Sequence, residues 1–303
     1  MIDIFSFVWS ILPATLMMAA PILIAATGGM ICERAGVVNI ALEGLMVIGA
    51  MAAATTHVLL ENSTTFSIPF AFLFAAVFGC LFSLIHAFAS ITLRADQIVS
   101  GTGINLLSLG ITVFVSQLIF NSDRTQPFRM GMRTIQGFHP TAWIALGILI
   151  IAAFMLYKRP WGLRLRAAGE HPQALASAGV SVIKMRYTAV LISGILAGIA
   201  GASVVLTQDI QFTTTTINGR GFIALAAVSF GRWLPLGILG ASFLFGFSSA
   251  MSVIFVNFDF LRALPSEFFS LLPYLITLLA LVIFSGKDHA PRAVGQPYDK
   301  GKG

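Results

Sequence analysis

The stretch "NSTTFSIPFAFLFAAVFGCLFSLIHAFASITL", residues 62–93, contains no Asp, Glu, Lys or Arg. About 20 predominantly apolar residues suffice for a helix to cross the hydrocarbon core of a bilayer. Three further runs, 4–32, 187–208 and 233–258, are equally free of charge. Over the whole chain of 303 residues, 57% are apolar and only 10% are charged, and the mean hydropathy is +0.90. A soluble domain carries roughly 25% charged residues, so this chain cannot cover a water-facing surface with polar groups. Its natural solvent is a lipid bilayer, and the expected fold is an all-α polytopic membrane protein.

Apolar runs alternating with polar breaks give about nine expected transmembrane helices (a range of 8–10), some of them broken or short. They fall at 12–31, 41–60, 68–92, 98–120, 141–157, 188–207, 215–231, 236–256 and 268–285. All belong to one transmembrane domain over 1–303, with a polar loop at 158–187 and a polar tail at 286–303. Two places interrupt the pattern. Between Arg220 and Arg232 there are only eleven charge-free residues, "GFIALAAVSFG". That segment either borrows length from "TTTTING" before it or is a half-helix; a crossing is preferred, because a re-entrant half-helix would export the basic tail. In "CERAGVVNIALEG" (32–44), Glu33, Arg34, Asn39 and Glu43 break two apolar runs. Such a break is expected to line a cavity, since unpaired backbone in lipid costs several kcal/mol per group.

Six of the 18 Lys and Arg residues lie between Lys158 and Arg186, accompanied by Glu170 alone among the acids. Basic loops stay cytoplasmic, so this one sets the topology. Counting from it places Arg94 and the tail in the cytoplasm, and the Glu61 loop and the N-terminus outside. The 121–139 loop, with Arg124, Arg129 and Arg133 against Asp123, is exported by this count although it is basic. The net charge of +6 therefore reflects membrane topology and not nucleic-acid binding. No basic residue precedes the first apolar run, so a cleaved signal peptide is not expected. Cys32 and Cys80 are too few for a disulfide framework or a metal site and read as buried thiols.

Catalytic signatures are missing. The chain has no G-x-x-x-x-G-K-[ST] phosphate loop and no H-E-x-x-H pair. Its nearest approach to a nucleophilic serine is "GFSSA" (246–250), and neither His57 nor His86 is an evident partner for it. Small residues there, in "SGILAGIAGA" (193–202) and in "LPLGILGA" (234–241), read instead as close-packing helix faces. Ionisable and polar groups inside spans cost energy and point to function. Glu43, with Asn39 one turn before it, is the foremost candidate. It either lines a pathway or makes a structural hydrogen bond or ion pair, for example to Arg34. Arg220 either shares that role or snorkels to the outer interface. A faint echo between "NIALEG" (39–44) and "NLLSLG" (105–110) brings in Asn105.

The polar stretch "WGLRLRAAGEHPQALASAG" (161–179) is built differently. Pro172 suits the first turn of a helix, Glu170 the positive end of its dipole, and Gly179 a left-handed terminus. The short helix so bounded cannot span a membrane and is too short to stand alone in water. It is expected to pack on something.

Four segments, "ERAGVVNIALEGLMVIGA" (33–50), "LRADQIVSG" (93–101), "GLRLRAAGEHPQALASAGV" (162–180) and "GRGFIALAAVSFGRWLPLG" (219–237), resemble permease subunits of bacterial ABC importers. The class is the branched-chain amino acid and simple-sugar type, and the resemblance is strongest to the shorter permease of nucleoside importers. Ser229 and Leu234 depart from its usual pattern. The resemblance implies a non-catalytic permease of the bacterial cytoplasmic membrane, with no cofactor in this chain. Its implied partners are a second, longer permease, an ABC ATPase that binds ATP and Mg, a substrate-binding lipoprotein or periplasmic protein, and a small-molecule substrate. It also implies that Arg164, Arg166, Gly169, Glu170, Pro172, Ala174 and Gly179 couple to the ATPase. Asn39, Glu43, Asn105, Phe212 and Arg220 are the candidates for the substrate path. A simple sugar or a branched-chain amino acid is an alternative substrate. An ion-coupled secondary transporter using Glu43 or Asp96 as proton carrier is an alternative mechanism.

Overall fold

A computed structural model describes residues 4–255 and 289–299 and the isolated positions 271, 275, 278, 279 and 282, with side chains described from residue 11 onward. The described residues are almost entirely helical. They form α1 (Ile4–Arg34), α2 (Leu42–Leu60), α3 (Ser67–Ala87, prolonged by a π turn, Phe88–Thr92), α4 (Gln97–Phe120), α5 (Pro140–Lys158), α6 (Pro160–Glu170), α7 (Pro172–Ser177), α8 (Val182–Thr207), α9 (Arg220–Phe230) and α10 (Pro235–Phe255). Seven of these helices are long and apolar enough to cross a membrane. They match seven of the nine expected spans; the ninth, 268–285, lies outside the described residues.

Helices α1, α2 and α8 form the buried centre, with α3, α4, α5 and α10 around them. Lipid removes the hydrophobic incentive for helices to associate, so close backbone packing takes over, and small residues make it possible. The 193–202 stretch behaves in this way. A Cβ on Gly198 would strike the Ala75 carbonyl of α3, one on Gly201 the Met46 carbonyl of α2, and one on Gly194 the side chain of Ser83. Helix α8 is thus wedged between α2 and α3. The 246–250 stretch likewise seats Gly246 on Ala19 of α1, with Ser248 and Ala250 buried.

The bundle has two distinct ends. At one, Glu61 accepts from the Arg129 amide (3.0 Å), and the 121–139 loop pairs with Leu206 at the end of α8 and with Ile210 and Phe212 beyond it. At the other, basic end, the 158–186 segment meets the end of α1 and the 289–299 tail. There the Ala293 amide donates to the Gly169 carbonyl (2.8 Å), Arg186 donates to the Gln296 carbonyl (2.8 Å) and Arg94 pairs with Asp299 (3.3 Å). Arg94 and the tail therefore share an end with the basic loop, and Glu61 and the 121–139 loop share the opposite one, as the charge count requires.

The seventh expected span, 215–231, is not a continuous helix. Its helical part, α9, has eleven residues and reaches about 16 Å, roughly half the thickness of a hydrocarbon core. Chain from 208 to 219 precedes it in turns and irregular structure. Phe212 is hydrogen-bonded at the far end, through Thr125, while Trp233 lies at the basic end against Glu33 and Arg34. The segment still runs from one end to the other, half as loop and half as helix. Gly219, at φ +83°, takes the left-handed conformation that starts α9, and Gly221 lies so close to the Glu43 backbone that a Cβ would not fit.

The 35–41 link between α1 and α2 is also non-helical and is mostly buried in protein. Its polar backbone is satisfied by side chains. The Val38 amide donates to Gln97 (2.7 Å), the Val38 carbonyl meets His86 (3.1 Å) and the Ile40 carbonyl accepts from Asn105 (3.0 Å). His86 also meets Ser100, and His57 meets the Met130 carbonyl, so both histidines have partners remote from the 246–250 serines. Cys32 is fully buried; Cys80 is only partly so.

Gly198→Val is expected to destabilise the protein by at least the ~1–3 kcal/mol typical of overpacking, because backbone and not a flexible side chain stands in the way. Gly147→Ala on α5, where a Cβ meets nothing within 4 Å, should be neutral or stabilising by up to about 1 kcal/mol. Thermal unfolding of the two purified variants in detergent checks both expectations.

Candidate functional site

The polar stretch 160–179 folds as two short helices and not one. Arg159 is extended, so Pro160 can open α6, and the break at His171 lets Pro172 open α7 at the expected position. Gly179 closes the pair at φ +78°. Leu165 and Ala168 of α6 and Leu175 of α7 are buried, and through them the short helices pack on the bundle, including Val182 at the start of α8.

The seven residues assigned to this element by resemblance divide by position. Gly169 and Pro172 are buried, and Gly169 sits so close to the Arg34 carbonyl that no side chain fits there. Arg166 lies over the Tyr157 ring (4.8 Å). Glu170 faces Arg34 (3.9 Å) and the Arg292 amide (3.5 Å). These four hold the element to the bundle. Arg164, Ala174 and Gly179 are exposed, together with Leu163, His171 and Gln173. They form the face on which another protein could sit.

The path candidates also divide. Glu43 caps the start of α9: one carboxylate oxygen accepts from the Gly219 amide and the other from the Gly221 amide, each at 2.7 Å. Helix N-termini carry unsatisfied N–H groups and a positive dipole end, so a carboxylate is the natural partner. Asn105 bridges α4 to α2, accepting from the Gly44 amide (2.8 Å) and donating to the Ile40 carbonyl (3.0 Å). Asn39 is fully buried and donates to Ser193 (2.8 Å), while its carbonyl oxygen has no partner among the described residues. Arg220 turns back on its own loop, donating to the Thr216 and Ile217 carbonyls and to Gln208 (2.8 Å). Phe212 is fully buried near the far end, apart from the others. Asn39, Glu43, Asn105 and Arg220 thus surround the two helix breaks, and Phe212 does not join them. Asp96 is exposed and caps α4 through the Ile98 and Val99 amides.

Sequence reasoning missed a polar hollow of ≈ 770 Å³ at the far end, lined by His57, Glu61, Thr64, Arg129 and Arg133 among others. Its only sequence signal was the hydroxyl-rich "ENSTTFS" turn, which composition cannot tell from an ordinary loop. Trp233 was also missed. Its indole donates to Glu33 and its carbonyl accepts twice from Arg34.

Comparison with known proteins follows the same lines. The chain is 42% identical to the guanosine ABC transporter permease protein NupQ of Bacillus subtilis, over 99% of each chain. It is 35% identical to the nucleoside ABC transporter permease protein NupC of Lactococcus lactis, over 95% of this chain and 96% of that one. A second guanosine ABC transporter permease protein of Bacillus subtilis, NupP, is 26% identical over 86% of this chain and 76% of its own. No solved structure matches the chain. The description "branched-chain amino acid transport system / permease component" fits residues 11–281, nearly the whole helical bundle. The chain belongs to that permease family.

Proposed function

We propose that this protein is the non-catalytic permease subunit of an ATP-driven ABC importer for nucleosides. The observation that carries this reading is the end-to-end similarity to permeases named for guanosine and nucleoside transport. The geometry supports it in a specific way. A pair of short helices is anchored to the bundle on one side and leaves Leu163, Arg164, Ala174 and Gly179 open on the other. An ATPase that binds ATP and Mg docks there, and closure of its nucleotide sites moves the pair. The basic end, including the C-terminal tail, then lies in the cytoplasm of a bacterial inner-membrane protein, and the far-end hollow faces a substrate-binding protein.

The second permease is a different chain of the same family. NupQ and NupP, two guanosine permeases of one bacterium, motivate that pairing. The substrate passes between the two permeases as they rock, and the polar groups around the helix breaks, Asn39, Glu43, Asn105 and Arg220, set the shape of that path. No covalent chemistry is required of the chain. A proton-coupled mechanism finds less support: Asp96 is an exposed helix cap, and both oxygens of Glu43 are committed to amides.

Charge reversal should separate the two arginines. Arg164→Glu is expected to cut ATP-driven uptake about tenfold, the usual scale of an inter-site coupling, with thermal stability unchanged. Arg166→Glu loses its aromatic stacking and should instead lower stability by about 1 kcal/mol. Uptake and thermal unfolding measured on both variants check this. In cells carrying the full transporter, uptake of labelled guanosine should be competed by unlabelled uridine and adenosine. Ribose, galactose and leucine should leave it unchanged.

A further inference from the structure

Arg34 stands where three separately built pieces of the protein meet. It is the last residue of α1 and is largely shielded, its side chain 15% exposed. Its Nε and Nη2 both donate to the Trp233 carbonyl, at 3.1 and 3.0 Å, and its Nη1 faces Glu170 at 3.9 Å. Trp233 belongs to the tight turn between α9 and α10, where Arg232 and Trp233 both take left-handed backbone (φ +53° and +54°). Non-glycine residues rarely adopt that conformation, and two in succession require surroundings that hold them. What holds them is visible: Arg34 grips the Trp233 carbonyl while Glu33 accepts from the Trp233 indole. Across the same contact, Gly231 and Gly237 press backbone on backbone, so the turn is packed tightly between the two helices.

The other end of α9 is gripped just as specifically, by the Glu43 carboxylate on the Gly219 and Gly221 amides. Helix α9 is therefore a short rigid rod clamped at both ends. One clamp lies among the polar groups at the helix breaks, and the other lies one side chain away from the α6–α7 pair. Glu170 ends α6, and the Gly169 backbone rests directly on the Arg34 carbonyl.

We propose that Arg34 is the positioning residue that transmits displacement of α6–α7 to the half-helix α9, and through it to the polar cluster around Glu43. The proposal rests on the transporter reading above and adds the residues that carry the motion. A guanidinium suits the task because its planar fork holds two donors on one acceptor while a third nitrogen faces a carboxylate. The α6–α7 pair pulls on α1 through Gly169 and Glu170, Arg34 passes the movement to the Trp233 carbonyl, and α9 shifts against its Glu43 clamp.

The test uses the complete transporter in proteoliposomes, with Arg34→Gln and Arg34→Lys compared with the unmodified protein. Nucleoside uptake and ATP hydrolysis are measured on the same vesicles. ATP-dependent thiol labelling of an Asn218→Cys reporter, placed beside the start of α9, is followed in each background. Arg34→Gln should lower uptake per ATP hydrolysed about tenfold and abolish the ATP-dependent change in labelling, while the assembly and its ATP hydrolysis persist. Arg34→Lys keeps the charge and loses the twofold grip, so it should fall between the two. Unchanged uptake per ATP in both variants, or an ATP-dependent labelling change that survives Arg34→Gln, would overturn the proposal. Absence of ATP-driven uptake by the unmodified assembly would count against the transporter reading itself. Should Arg34→Gln fail to assemble, Arg34→Lys decides alone, by whether uptake per ATP falls.

Discussion

A chain that stops being helical inside a bilayer must still pair every backbone N–H and C=O, and that constraint organises this protein. The helices are interrupted at 35–41 and at 208–219, and at both places side chains from other segments pair with the freed backbone groups, alongside local backbone bonds. Glu43 supplies the acceptors for the start of α9, Asn105 serves both Gly44 and Ile40, and Gln97 and His86 take the two polar groups of Val38. Each of these side chains reaches from its own helix to a different segment of the chain. The polar residues that look like a transport path in the sequence are therefore also the joints that close the break between α1 and α2 and the break before α9.

Around those joints the packing is close. Glycines on α8 bring it onto α2 and α3, making a close-packed centre, while the half-helix α9 packs on α1 through Ala224, Ala227 and Val228 and is also held by side chains at its two ends. Close-packed bodies joined through such contacts suit alternating access, in which bundles move past one another about a site built from broken helices. The position of α6–α7 fits the same logic. Its inner face is tied to the end of α1 and to the 289–299 tail, so a push on its exposed face is delivered to the bundle.

Much of this was legible in the residues. Charge-free runs located the seven long helices, because a span needs little more than length and apolarity. Pro172 and Gly179 marked the bounds of α7, because their backbone preferences are local. The small residues at 193–202 announced a tight interface. What escaped was non-local. Nothing in the local pattern says that Glu43 reaches residues 176 and 178 positions later in the chain, or that Arg34 holds the Trp233 carbonyl. The half-helix stayed ambiguous because eleven apolar residues fit a short crossing and a re-entrant turn equally well. Only the contacts of Phe212 at one end and Trp233 at the other show that the segment passes from end to end. The separate roles of Arg164 and Arg166, two residues apart, were equally hidden, since one faces outward and the other finds Tyr157.

The central claim is that Glu43 closes the break in the seventh expected crossing by holding the first amides of α9. Hydrogen exchange at residues 219–223 in the detergent-solubilised protein addresses it directly. In Glu43→Ala two amides lose their acceptor, and protection there should fall by about tenfold or more, since each lost partner costs roughly 1–3 kcal/mol. Glu43→Gln, which keeps one acceptor, should lie between, while the interior of α8 stays protected in both. Unchanged protection at 219–223 in Glu43→Ala would contradict the account.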